Sequence, residues 1–114
     1  MHTKVFSTNM LHPKFMVRQI GITDGAMMEL TEGSRDVEQL TAELAKLLHR
    51  HVSGDWGEVD SEDWATNDRA VKSGARILSA YHLYGVKLWI ISDAAWTDEP
   101  RLREVTTILR PADY

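Results

Sequence analysis

The stretch Arg76-Ile77-Leu78-Ser79-Ala80-Tyr81-His82-Leu83-Tyr84-Gly85-Val86-Lys87-Leu88-Trp89-Ile90-Ile91 changes the hydrophobic period of the chain and decides its fold class. Ile77, Ser79, Tyr81 and Leu83 alternate with Arg76, Leu78, Ala80 and His82, which is the two-residue repeat of a strand. Tyr84-Gly85 then turns the chain. Val86 to Ile91 is almost continuously apolar and rich in branched and aromatic residues, as in a central strand covered on both faces. The two strands are expected to pair antiparallel.

Upstream the repeat is helical. Thr23-Asp24-Gly25-Ala26-Met27-Met28-Glu29-Leu30 puts a capping residue before good helix formers, with Met27, Met28 and Leu30 expected in the core and Gly33 as a stop. Ser34 can cap a longer helix in which Val37, Leu40, Leu44, Leu47, Leu48 and His51 recur at intervals of three and four. Val52 to Gly57 ends it. Asp60 followed by Asp63 has a capping pattern for a third helix over about 61–73, closed by Lys72 and Gly74. Before these, residues 1–14 read as an irregular arm, and Phe15 to Ile20, stopped by Gly21, as a short strand suited to a sheet edge.

Downstream, Ala94 to Leu102 reads as a polar loop, and Val105 to Arg110 as a last strand stopped by Pro111. The expected architecture is α+β: a single domain over 15–114, with a helical N-terminal half packed on a C-terminal three-stranded antiparallel meander. The 15–20 segment is an optional additional N-terminal edge strand.

Composition narrows function. In 114 residues, 43% hydrophobic and 26% charged, there is material for one core. With no cysteine, thiolate catalysis, disulfides and cysteine-based metal sites are excluded. A net charge of −4 disfavours nonspecific DNA binding through phosphate neutralisation. The sequence lacks an apolar run of membrane-spanning length, and Met1 to Met10 lacks a signal peptide's apolar core, so a cytoplasmic location without membrane association is expected.

From His51 onward the residues carry a resemblance. His51-x-x-Gly54-Asp55-Trp56-Gly57, Asp63, Asn67, Gly74-x-Arg76-x-Leu78-Ser79-Ala80-Tyr81, Trp89-Ile90-Ile91 and Thr106-Thr107-x-Leu109-x-Pro111-x-x-Tyr114 resemble a family of small prokaryotic, plasmid-related proteins. The resemblance implies a setting, mobile elements and their hosts, rather than an activity. The chain departs from the family pattern at Ser92-Asp93 and in the longer segment before Arg103.

Two sets of residues are candidates for chemistry. His51 precedes Asp55 by one turn, so a carboxylate could orient its imidazole as a general base, with Arg76 or Arg103 steadying a phosphate; the plainer alternative is that His51 caps its helix C-terminus. Trp96 sits among Thr97, Asp98 and Glu99 in a loop, and an aromatic in acidic surroundings suits a partner-binding anchor. Trp56, Trp64 and Trp89 are expected in the core. His49 and His51, two apart, point to different helix faces, and Asp60, Glu62 and Asp63 have no standard ligand spacing, so no metal site and no cofactor is expected.

Phosphate loops, nucleophile elbows and zinc-protease motifs are absent from the sequence. The leading expectation is a non-enzymatic protein-interaction module of a phage or plasmid, inhibiting a host defence complex in the manner of an anti-CRISPR or anti-restriction protein. One alternative is a metal-independent ribonuclease, resembling barnase-like toxins in architecture and using His51, Asp55, Arg76 and Arg103. Another is a self-associating structural or regulatory module that dimerises through an exposed sheet edge.

Overall fold

The structure, a computed structural model, describes residues 13–32 and 36–114. In chain order it contains β1 (Met16–Ile22), α1 (Asp24–Leu30), α2 (Val37–Val52), α3 (Ser61–Ser73), β2 (Ile77–Leu83), β3 (Val86–Ser92) and β4 (Leu102–Leu109), then one 3-10 turn, Pro111–Asp113. The arm read over 1–14 falls outside the described residues except for Pro13 and Lys14, and so does the cap read at Ser34.

Each helix begins on a side-chain cap. Thr23 accepts from the Ala26 N–H, Asp36 from Glu38 and Asp60 from Asp63, satisfying donors that the first turn leaves free. Helix α1 has only two turns and buries Ala26 and Leu30, one turn apart on a single face. Met27 and Met28, expected in the core, lie on the other side of the helix and are exposed, as is Val37 at the start of α2.

The sheet is four-stranded and mixed, in the order β1-β4-β3-β2. This corrects the expected three-stranded antiparallel meander. β2 and β3 pair antiparallel from Ile77 opposite Ser92 to Leu83 opposite Val86, joined by a two-residue turn in which Tyr84 and Gly85 both have positive φ. β3 and β4 are antiparallel from Trp89 opposite Leu109 to Ser92 opposite Thr106. β1 then adds parallel to β4, from Met16 opposite Leu102 to Ile22 opposite Ile108.

Two boundaries explain the correction. Gly21 does not stop β1, because its outward side is open and Thr23 marks the true end by capping α1. β4 begins at Leu102, inside the segment expected to be loop, because buried Arg103 is held as part of the strand.

The inward-facing residues Tyr81, Leu83, Val86, Leu88, Ile90 and Ile108 pack with Ala26, Leu30, Leu40 and Leu47 of α1 and α2. A second cluster joins Phe15, Val52, Trp56, Ala70, Val71 and Ile77. All three helices thus use the sheet face that carries Ile77, Tyr81 and Leu83. On the other face Trp89 meets Tyr114 edge-on, ring centroids 5.8 Å apart. Among the described residues no helix is long and apolar enough to cross a membrane.

Candidate functional site

His51 ends the buried stripe of α2 between the two apolar clusters and has no exposed surface. Its Nδ1 is hydrogen-bonded to Ser79 Oγ of β2, its Nε2 lies 2.9 Å from Ser92 Oγ of β3, and Ser92 Oγ lies 2.7 Å from Thr106 Oγ1 of β4. One imidazole therefore ties a helix end to three strands. Phe15 and Trp56 close over it edge-on, at centroid distances of 5.3 and 5.9 Å. Burial, reinforced by the charge of Arg103, drives its pKa down to about 3, so the ring is neutral near pH 7. Both ring nitrogens are engaged and neither faces solvent.

Asp55 does not orient that ring. Its carboxylate takes a two-point contact from Arg50 at 2.7 and 3.2 Å and accepts from the Gly57 N–H, and these contacts, led by Arg50, hold its pKa below the usual value. Arg50 also lies over the Tyr81 ring, whose hydroxyl donates to the Asp55 carbonyl. Burial raises the Tyr81 pKa to about 12.

Arg103 is also withdrawn from solvent. Its guanidinium donates to the carbonyls of Pro100 at 2.6 Å, Ala75 at 2.7 Å, Ala70 at 2.8 Å and Asp93 at 3.2 Å. It caps the C-terminal end of α3 and fastens both ends of the 93–101 loop in the same fork. Arg76 is exposed and donates to the Tyr114 hydroxyl at 2.7 Å. Of the four residues proposed for phosphodiester chemistry, His51 and Arg103 lie buried against Phe15, while Asp55 pairs with Arg50 and Arg76 with Tyr114.

The Arg103 fork gives the Trp96 loop its character. The loop is pinned from beneath by Arg103 and from the side by the Ala95 N–H, which donates to the Gly74 carbonyl at 2.8 Å. Its own turns are closed by Thr97 accepting from Glu99 N and Glu99 accepting from Arg101 N. On this base Trp96 is 65% exposed, with Asp98 and Glu99 exposed beside it. A large aromatic on a fixed loop binds with little ordering cost.

The two edges of the sheet are treated differently. At β2, the Asn67 amide donates to the Leu78 carbonyl and accepts from its N–H, while Trp56 O and Glu58 N take up the N–H and carbonyl of Ala80. That edge is plugged. Among the described residues β1 pairs with β4 alone and forms the other edge of the sheet, with Met16 59% and Ile20 49% exposed. A shallow apolar groove runs along it, lined by Ile22, Leu44, Leu48 and Ile108.

No family model, curated protein or solved structure matches this chain. The site therefore rests on its own geometry. The β1 edge and the Trp96 loop adjoin, since the Met16 N–H donates to the Arg101 carbonyl at the loop's end.

The sequence reading missed three features. The hydroxyl row of Ser79, Ser92 and Thr106 was signalled by Ser79 sharing its parity with Ile77 and Tyr81. The carbonyl fork of Arg103 had no local signal. Among the described residues the carboxylate-imidazole pair that forms is Glu58 with His82, at 2.7 and 3.0 Å, between residues 24 positions apart.

Proposed function

We propose that this protein is a non-enzymatic protein-interaction module that receives an extended segment of a partner protein on the β1 edge, with Trp96 as the side-chain anchor. The observation that carries the reading is the asymmetry of the sheet: β2 is plugged at Leu78 and Ala80, whereas among the described residues the β1 edge meets no further strand and Met16 and Ile20 are exposed. Exposed strand edges are normally avoided because they template strand pairing, so one whose first residue is tied to the end of the loop that carries the exposed Trp96 is suited to use. Main-chain pairing would supply affinity at about 0.5–1.5 kcal/mol per hydrogen bond, with an aromatic anchor adding about 2 kcal/mol.

The resemblance of residues 51–114 to plasmid-related proteins suggests the partner to try first, a host defence complex acting on incoming DNA in the cytoplasm. The test is expression in cells carrying an active restriction or CRISPR system. Wild-type protein is expected to lower immunity, and Ile20→Lys and Trp96→Ala to restore it. Full immunity in the presence of wild-type protein would contradict the defence-complex assignment. A homodimer in light scattering that Ile20→Lys dissociates would assign the edge to a second copy and overturn the heterologous reading.

A further inference from the structure

Among the described lysines and arginines, Lys14, Lys72, Lys87 and Arg101 have side chains with no hydrogen bond or ion pair. Three of these four line a single cleft, together with Pro13, Val71 and Asp68. In a chain whose net charge is −4, unneutralised cations gathered in a concavity need an explanation.

Each cation is placed by fixed backbone. Lys72 stands in the last turn of α3. The Lys14 N–H donates to the Val52 carbonyl at 2.7 Å, and its methylenes cross Gly54, where an added Cβ would stand 2.6 Å from them. Arg101 is held by its N–H on Glu99 Oε1 and by its carbonyl under the Met16 N–H. Asp68, the acidic residue of the lining, is tied at 2.9 Å to the Trp56 indole N–H, which leaves the cleft two positive charges in excess.

We infer that this cleft binds a small phosphorylated ligand, a di- or polyphosphate attached to an apolar or aromatic group. Three convergent cations match the charge of such a phosphate chain, and an arginine supplies the planar fork that recognises it. Val71 and Pro13 give the organic part an apolar wall. The cavity volume of about 540 Å³ is of nucleotide size. The cleft adjoins the start of β1 through Arg101 but takes none of its lining from Met16–Ile22.

Calorimetric titration of the full chain with inorganic pyrophosphate, ADP, adenosine and citrate tests the inference. Pyrophosphate is expected to bind, ADP more tightly, and adenosine alone not at all. Lys72→Ala with Arg101→Ala is expected to weaken both phosphates at least about tenfold, with the thermal midpoint unchanged because both side chains are exposed and unbonded. Lys14→Ala provides a second, separate variant. Absence of binding by pyrophosphate and ADP at about 10 mM would overturn the inference. Equal affinity in the double variant, or citrate binding as tightly as pyrophosphate, would overturn it too.

Discussion

Acid should destabilise this protein earlier than its carboxylates alone would. His51 is neutral in the folded state with a pKa depressed to about 3, against 6.5 for an unperturbed imidazole. Below pH 6.5 the unfolded chain binds a proton at this position and the folded chain does not. Unfolding therefore takes up protons, and stability falls as pH falls from about 6.5 to about 3. Each fully titrated unit corresponds to about 1.4 kcal/mol and the ring is half-titrated at each end of the range, so His51 should cost about 2 kcal/mol between pH 6.5 and 5, and about 4 kcal/mol between pH 6.5 and 3. Against a typical domain stability of about 5–15 kcal/mol, the smaller figure is readily measured by urea unfolding.

The window from pH 6.5 to 5 lies above the range in which ordinary carboxylates titrate, and comparison with a His51 variant separates this ring from the other four histidines. Wild type is expected to lose stability across it, and His51→Gln, which keeps a polar side chain but cannot titrate, to show a flatter profile. NMR titration of the His51 ring in the wild-type protein gives a reading that does not depend on the variant folding: its chemical shift should stay constant from pH 7.5 to about 4.5. A His51 transition near pH 6.5, or parallel pH profiles for the two proteins, would refute the account of a sealed neutral ring.

Other outcomes follow from the same geometry. Arg103→Met should destabilise by about 2–4 kcal/mol in urea unfolding, because four carbonyls lose the hydrogen bond from the guanidinium, while Ala70 keeps a second donor in the Gly74 N–H. The same variant should speed amide exchange over residues 94–100 relative to β2. Gly57→Ala should cost about 2–4 kcal/mol, because Gly57 has φ of +75° and an added Cβ would stand 2.0 Å from the Ala80 carbonyl oxygen; thermal melting checks this. Trp96→Ala should leave the urea midpoint within about 0.5 kcal/mol of wild type, since the side chain is exposed, and act on partner binding alone.

The hairpin of β2 and β3 was legible because its signal is local, an alternation of side chains on either side of Tyr84-Gly85. So were the helix starts at Thr23 and Asp60, where a short polar side chain reaches an amide two or three residues on. The parallel pairing of β1 with β4 joins Ile22 to Ile108, and no local pattern in either strand specifies a partner so distant. Arg103 misled for a different reason. A charged residue in a polar stretch reads as solvated, yet its guanidinium can be buried when backbone carbonyls supply all its acceptors.

His51 lay between these cases. Its place on the apolar stripe of α2 predicted an inward-facing ring, while its partners Ser79 and Ser92 come from two strands 28 and 41 residues further on, with Thr106 of a third strand behind Ser92. Small hydroxyls at inward positions were the available signal. Trp96 was identified in sequence by its acidic neighbours, but the fastening of its loop by Arg103 required the fold.

The proposed docking surface is tested most directly by hydrogen exchange on the protein bound to a partner captured from host cells, compared with the free protein. The account predicts that binding slows exchange in β1, Met16–Ile22, and across residues 94–99, with the plugged β2 edge unchanged. Protection confined to the helices or to the β2 edge, with β1 exchanging as fast as in the free protein, would contradict it.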